Sequence, residues 1–318
     1  MPKVTVVIPN FNHGRFLEKR IASVLSQTYQ DFDVVYLDDA STDNSAQVAA
    51  KYLGDPRIQE VRNEVNSGRS FTQWNKGVRL AQGDYVWIAE SDDYADERFL
   101  ETLVNKMDCN PSVGLAYCQS IRVDDDGSPI TAIEEFLRSE GRWGNDFIND
   151  GREECRLYLS SRNTIPNASA VLIRRSAYEE AGYADETMRL CGDWLMWVKL
   201  LLVSDIAFIA EPLNYYRTST NSVRQMNNGR STYHEEAYRV VRHALDNLSI
   251  PTETLEQTCQ TLLGGWVDAV IRKRTLRPWR QTRNIYRNAK TVDHRLKSRI
   301  IRNVASTIAH SFLPGNGS

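Results

Sequence analysis

Val4, Val6, Val7 and Ile8 form a short β-branched run with no helical period, and Pro9 closes it, so the chain opens on a buried strand. After the polar turn Asn10-Phe11-Asn12-His13-Gly14, the residues Leu17, Ile21, Val24 and Leu25 recur at spacings of three and four, which gives a helix one apolar face. The alternation repeats as strand 32–37, helix 45–52, strand 58–61, helix 71–81 and strand 85–89. That order predicts an α/β fold, with a mostly parallel central sheet covered by helices on both faces.

Farther along, 115–123 and 168–173 read as strands, and Asp124-Asp125-Asp126-Gly127-Ser128-Pro129 as a solvated hairpin turn. Residues 131–165 have no clean period and predict a partly mobile excursion. Gly192-Asp193 opens a helix whose apolar face includes Trp197 and Leu200, and 214–222, polar and aromatic, predicts a loop across the open edge of a crevice. From Ser231 onward the pattern is helical. Its last segment places Leu296, Ile300, Ile301, Val304, Ile308 and Phe312 in one stripe, flanked by Arg295, Lys297, Arg299 and Arg302.

Charge changes this picture at the C-terminus. The 318 residues carry a net charge of −2, but from Gly264 onward 12 Lys and Arg face 2 Asp and Glu, a net of +10. The remainder is therefore acidic, which excludes a coat for nucleic acid. The basic stripe over 272–313 predicts contact with an anionic membrane surface, since an interfacial helix needs apolar contact below and lipid phosphate at its rim. No apolar stretch of 18 residues is available to cross a bilayer, and the first residues are too short an apolar run for a signal peptide. Five dispersed cysteines without a CxxC pair suggest a reducing, cytoplasmic setting, and the basic stripe suggests a place peripheral to the inner face of the membrane.

Acidic residues gather directly after two strands: Asp38-Asp39 after the second and Glu90-Ser91-Asp92-Asp93 after the fourth. Ligands of open α/β sheets bind beyond the carboxyl ends of strands, so the two clusters are expected to share one crevice. A dinucleotide enzyme is disfavoured, because the first turn lacks GxGxxG.

Several segments together carry a family resemblance. They are Val6-Val7-Ile8-Pro9-Asn10-Phe11-Asn12, Ser23-Val24-Leu25-Ser26-Gln27-Thr28, Asp38-Asp39-Ala40-Ser41-Thr42-Asp43, Asn66-Ser67-Gly68, Asn75-Lys76-Gly77, Ala81-Gln82-Gly83-Asp84-Tyr85 and Glu90-Ser91-Asp92-Asp93. In this order and spacing the chain resembles the family 2 glycosyltransferases, which have a GT-A fold, over residues 3 to 225. The resemblance implies a glycosyltransferase domain over 1–225, with a nucleotide-binding half (1–120) and an acceptor-binding half (121–225). A helical basic extension, 226–318, follows.

It further implies an inverting transfer of a sugar from a nucleotide-diphospho-sugar, such as a UDP-sugar, to a saccharide or lipid-linked saccharide in bacterial surface polysaccharide synthesis. Pro9 and Phe11 would frame the base, Asp39 would accept its ring N–H, Arg69 would approach the diphosphate, and Asp92 would lie near ribose and metal. Asp93, with Asp92, would bind Mg2+ or Mn2+. Asp193 would be the catalytic base and Trp194 a wall of the acceptor site. Three positions depart from the family pattern: Glu90 for its leading aspartate, Gly192 for a glutamate before the base, and Ser219 for a histidine. An inactive GT-A-like nucleotide-binding or scaffold protein and a nucleotidyltransferase are the alternatives.

Overall fold

A computed structural model describes residues 1–131, 141–218, 230–271 and 279–311. The chain divides into two compact units. One comprises Met1–Glu154, Thr164–Arg189 and Lys199–Ser219; the other comprises Cys155–Asn163, Leu190–Val198 and Thr220–Ser318.

The first unit is built on a ten-stranded mixed sheet. Its strands are β1 (Val4–Asn10), β2 (Phe32–Asp38), β3 (Ile58–Arg62), β4 (Tyr85–Ile88), β5 (Tyr94–Ala95), β6 (Val113–Val123), β7 (Pro129–Thr131), β8 (Phe147–Asn149), β9 (Val171–Arg174) and β10 (Asp205–Arg217). The order is β3-β2-β1-β4-β9-β6-β10-β5, with β7 on β6 and β8 on β10. The first four strands are parallel, as the alternation predicts. β9 runs antiparallel to both β4 and β6, and β10 runs parallel to β6.

All seven residues of β1 are buried, as a strand covered on both faces requires. Helices α1 (Gly14–Leu25), α2 (Ser45–Ala50), α3 (Ser70–Leu80) and α4 (Phe99–Asp108) supply apolar cover, with Leu17, Ile21 and Val24 of α1 buried as their spacing predicts. α3 approaches β1 so closely that a Cβ on Gly77 would lie 2.3 Å from Cγ1 of Val7. Trp87 of β4 stacks on Phe99 of α4 with ring centroids 4.4 Å apart. Asn10 pairs with Asp38 in register, so β1 and β2 end side by side, and β4, paired to β1 through Val7↔Ile88, ends next to them. This edge carries both acidic clusters.

Two expectations are corrected. Residues 214–217 are not loop: β10 continues to Arg217, paired with β6 as far as Arg217↔Val123. The polar side chains are satisfied across the sheet, Asn214 donating to Ser120 Oγ at 3.1 Å and Tyr215 stacking on Tyr94 of β5 at 4.5 Å. Ser219 lies outside the described residues. Residues 141–165 are not a loose excursion either, and 132–140 lie outside the described residues. Arg142–Gly144, β8, Gly151–Glu154 and Cys155–Leu159 are short ordered pieces. A buried carboxylate organises the first of them: Glu154 Oε2 accepts from Arg142 and, at 2.9 Å, from Asn149 Nδ2.

The second unit contains helices Arg230–Asn247, Thr252–Ile271, Trp279–Val292 and Leu296–Ser311. Tyr238, Val241, Leu263, Ile285, Ala289 and Leu296 are among its buried side chains. Part of the stripe expected at a membrane therefore packs inward. Arg299 is turned in too, pairing with Asp293 at 3.1 Å, while Ile301 stays 69% exposed. The basic run 272–278 and Phe312 lie outside the described residues.

The contact at Gly77 gives a stability prediction. Gly77→Ala has to push Val7 or α3 aside and should cost about 1–3 kcal/mol in urea unfolding. Gly54→Ala, with nothing within 4 Å of its new methyl group, should stay within about 0.5 kcal/mol of the parent.

Candidate functional site

The loops after β1 and β2 are tied to each other before any ligand is considered. Asn10 Nδ2 donates to Tyr36 Oη at 3.2 Å, Asp38 Oδ1 at 3.3 Å and Ser41 Oγ at 3.1 Å. Asn12 Oδ1 accepts from the Thr42 amide at 2.7 Å, and Asp43 Oδ2 accepts from the amide of Gly14, the first residue of α1, at 2.8 Å. Two residues here occupy the left-handed region, Asn12 at φ 56° and Ala40 at φ 61°. Asparagine tolerates that conformation, whereas alanine is held in it only because its surroundings are over-determined. Pro9 is buried within β1, and Phe11 projects from the loop with 44% of its surface exposed.

Asp39 is 4% exposed and heavily engaged. Its Oδ1 accepts from Asn63 Nδ2 at 2.5 Å, the Ser67 amide at 2.9 Å and Gln73 Nε2 at 2.9 Å, and its Oδ2 accepts from Ser67 Oγ at 2.7 Å. A carboxylate offers about four acceptor positions. Asp39 thus anchors the loop between β3 and α3, the loop that carries Arg69. Arg69 is exposed and donates from Nη1 to the Glu186 carbonyl at 2.8 Å.

The turn after β4 concentrates charge. Glu90 does not extend toward solvent: its Oε1 accepts from Trp74 Nε1 at 2.7 Å. Ser91 Oγ lies 2.9 Å from His13 Nδ1, joining this turn to the β1 loop. Asp92 is half-buried, and Asp93 is buried, with Oδ1 accepting from the Arg217 amide at 2.8 Å. Burial, then repulsion from Asp92, pushes the Glu90 carboxyl up to about 8 and that of Asp93 up to about 7.

Two arginines brace this turn, and the charge of one, Arg20, opposes the repulsion. Arg20, on the inner face of α1 and 0% exposed, donates from Nε to the Glu90 carbonyl at 2.8 Å. Its burial lowers its own pKa to about 10, against the pull of Asp93, Asp92 and Glu90. Arg217 donates from Nε to the Asp92 carbonyl at 2.9 Å and from Nη1 to the Asp125 carbonyl at 2.6 Å. Arg217 is the arginine two positions before Ser219 in the family pattern, whereas Arg20 and Trp74 are not among the residues singled out by motif. The available signal for Arg20 is its position, a charged residue among Leu17, Ile21 and Val24 on the apolar stripe of a helix. Among the described residues, no group of three or more His, Cys, Asp and Glu side chains is arranged to hold a metal ion by itself.

Asp193 and Trp194 belong to the second unit. Asp193 lies in the first turn of helix Gly192–Leu201, where its carboxylate faces a favourable dipole, and Asn163 Nδ2 donates to its Oδ2 at 3.0 Å. Trp194 is 1% exposed, and its Nε1 donates to the Leu159 carbonyl at 2.7 Å. Its ring is packed inside.

The sequence profile described as Glycosyl transferase family 2 matches residues 5–182, more than half of the chain. Glycosyltransferase GlyG of Streptococcus pneumoniae serotype 4 is 27% identical over 236 residues, which span 69% of this chain and 72% of that protein. The crystal structure of S. aureus TarS in complex with UDP-GlcNAc is similar with a TM-score of 0.65 at 18% identity, covering 95% of this chain and 89% of that one. Mannosyltransferase PcManGT from Pyrobaculum calidifontis, in complex with GDP-Man and Mn2+, is similar with a TM-score of 0.60 at 15% identity, covering 99% of this chain and 88% of that one. At these identities the two structures establish the fold alone, which is GT-A.

The raised carboxyls set a pH dependence. Unfolded carboxyls release their protons near pH 4, whereas Glu90 and Asp93 hold theirs to about 8 and about 7. Between those limits the folded chain binds more protons than the unfolded one, so stability falls as pH rises. These groups favour folding fully below about pH 4, and that contribution is lost by about pH 8. In chelator, the melting temperature should decline across this window, and Glu90→Gln, neutral throughout, should flatten the decline.

Proposed function

The chain belongs to glycosyl transferase family 2 and is a glycosyltransferase, and from that premise we propose that it moves a sugar, with inversion, from a nucleotide-diphospho-sugar to a hydroxyl of a saccharide or lipid-linked saccharide. The observation that carries this reading is the acidic turn Glu90–Asp93, tied through His13 to the β1 loop at the carboxyl edge of the sheet. Phe11, exposed on that loop, and Pro9 beneath it frame the base. Asp39 accepts the ring N–H of the base, and by fixing the Ser67–Arg69 segment it also brings Arg69 to the diphosphate. A UDP-sugar is the first donor to test, since TarS was solved with UDP-GlcNAc.

Asp92 and Asp93 fit a divalent cation. They are hard oxygen donors, and a cation would relieve the repulsion that raises Asp93. Two carboxylates make an incomplete cage, as expected of Mg2+ or Mn2+ sites completed by substrate phosphates and water. When bound, such an ion would neutralise charge on the departing diphosphate. Glu90, held by Trp74, supports this turn from behind.

Asp193 takes the proton of the acceptor hydroxyl. The acceptor oxygen bonds to the anomeric carbon as that carbon's bond to the diphosphate oxygen breaks, and the nucleoside diphosphate leaves. Asn163 orients the carboxylate for that step. Exposed Arg283, Arg287, Lys290, Lys297 and Arg302 support contact of the helical extension with an anionic membrane surface, a place suited to a lipid-linked acceptor in surface polysaccharide synthesis.

Thermal melting with UDP, GDP, dTDP and CDP, each with and without Mn2+, tests the donor site. One nucleotide should stabilise the protein in a Mn2+-dependent way, by about 2.7 kcal/mol at a hundred times its Kd, and Asp93→Asn should abolish the effect. Asp193→Asn should keep that stabilisation yet lower transfer about 100- to 10,000-fold. No shift with any nucleotide at millimolar concentration would overturn the proposal in favour of an inactive GT-A-like protein.

A further inference from the structure

The helix that carries Asp193 begins at Gly192, and the turn that leads into it, Leu190 and Cys191, has no side-chain oxygen of its own to hold it in place. An acceptor for the amides of that turn comes from the C-terminal extension. Glu236, in helix Arg230–Asn247 and 4% exposed, accepts the Leu190 and Cys191 amides through Oε2, each at 2.8 Å. Tyr233, one turn earlier on the same helix, accepts a weaker bond from Cys191 Sγ through its carbonyl at 3.8 Å. Trp194 Nε1 on the Leu159 carbonyl and Asn163 Nδ2 on Asp193 itself complete the clamp. Of residues 191–198, Asp193 alone is not buried.

We infer that Glu236 is a positioning residue for the transfer reaction: by holding the 190–191 amides it fixes the turn from which Asp193 projects. The inference rests on Asp193 acting as the base, and it gives the extension a role inside the chemistry. The pair of charge-assisted bonds is what a shorter or neutral-apolar side chain cannot supply. The geometry matters because a base displaced by about 1 Å can lose on the order of 100-fold in rate.

Four variants of the full-length protein test it: Glu236→Ala, Glu236→Gln, Glu236→Asp and Asp193→Asn. Release of nucleoside diphosphate is followed with the nucleotide sugar whose nucleotide stabilises the protein, and amide hydrogen exchange is followed over residues 188–196. Glu236→Ala should lower kcat about 10- to 100-fold, with donor KM and Mn2+-dependent stabilisation unchanged. Exchange at 190–193 should accelerate in the same variant. Glu236→Gln, whose amide oxygen still accepts both bonds, should recover most of kcat and protection. Glu236→Asp, one methylene short, should not, and this pair decides the matter even where the alanine variant does not fold.

Wild-type turnover or unchanged exchange in Glu236→Ala and Glu236→Asp, beside an inactive Asp193→Asn, would overturn the inference alone. Loss of donor KM and nucleotide stabilisation together with kcat would overturn it too, by showing a general structural role. Wild-type turnover in Asp193→Asn would instead remove the base assignment, and the inference with it.

Discussion

Carboxylates crowded at the end of a buried strand repel one another, and the turn after β4 depends on two buried arginines that hold it together. Arg20 arrives from α1 and Arg217 from the last residue of β10, and both donate to backbone carbonyls of the turn, while the Arg20 charge also opposes that of the carboxyls. The interaction therefore requires α1, β4 and β10 to be in place at once. Removing the Arg20 guanidinium would leave carboxyls that are already raised by burial with still less to offset them. The sheet order serves this requirement, because β10 runs the full length of β6 on one edge and pairs with β5 on the other just before Arg217.

Local order in the first ninety residues was legible in the sequence because each strand and helix there buries one apolar set with a simple period. The same holds for the acidic turn, which follows a strand directly. The rest depended on pairings between residues far apart. Residues 214–217 read as a loop because Asn, Tyr and Arg are polar, yet their partners are Ser120 and Tyr94, about a hundred positions away. Residues 142–154 have no period because their organiser is one buried glutamate, not an apolar face. Trp194 and Asp193 are neighbours on one helix, but adjacent positions point in different directions, and the Trp194 ring turns inward.

The family profile ends at residue 182, before Asp193 and well before Glu236. The segments 155–163 and 190–198 nonetheless group with the C-terminal helices as one compact unit. A boundary drawn from sequence at 225 therefore separates residues that are hydrogen-bonded to each other, Glu236 from Leu190 and Cys191 among them. The extension is thus structurally continuous with part of the domain it follows.

Asp39 has a consequence for how the loop between β3 and α3 can change. Its carboxylate binds Asn63, Ser67 and Gln73 together, and Ser67 lies two residues from Arg69. A substitution at this position would release the segment that carries the arginine. Residues 63–73, from the end of β3 into the first turn of α3, are in this way inherited as one block, and a lineage that changes Asp39 must rewrite that stretch together rather than drift there one residue at a time.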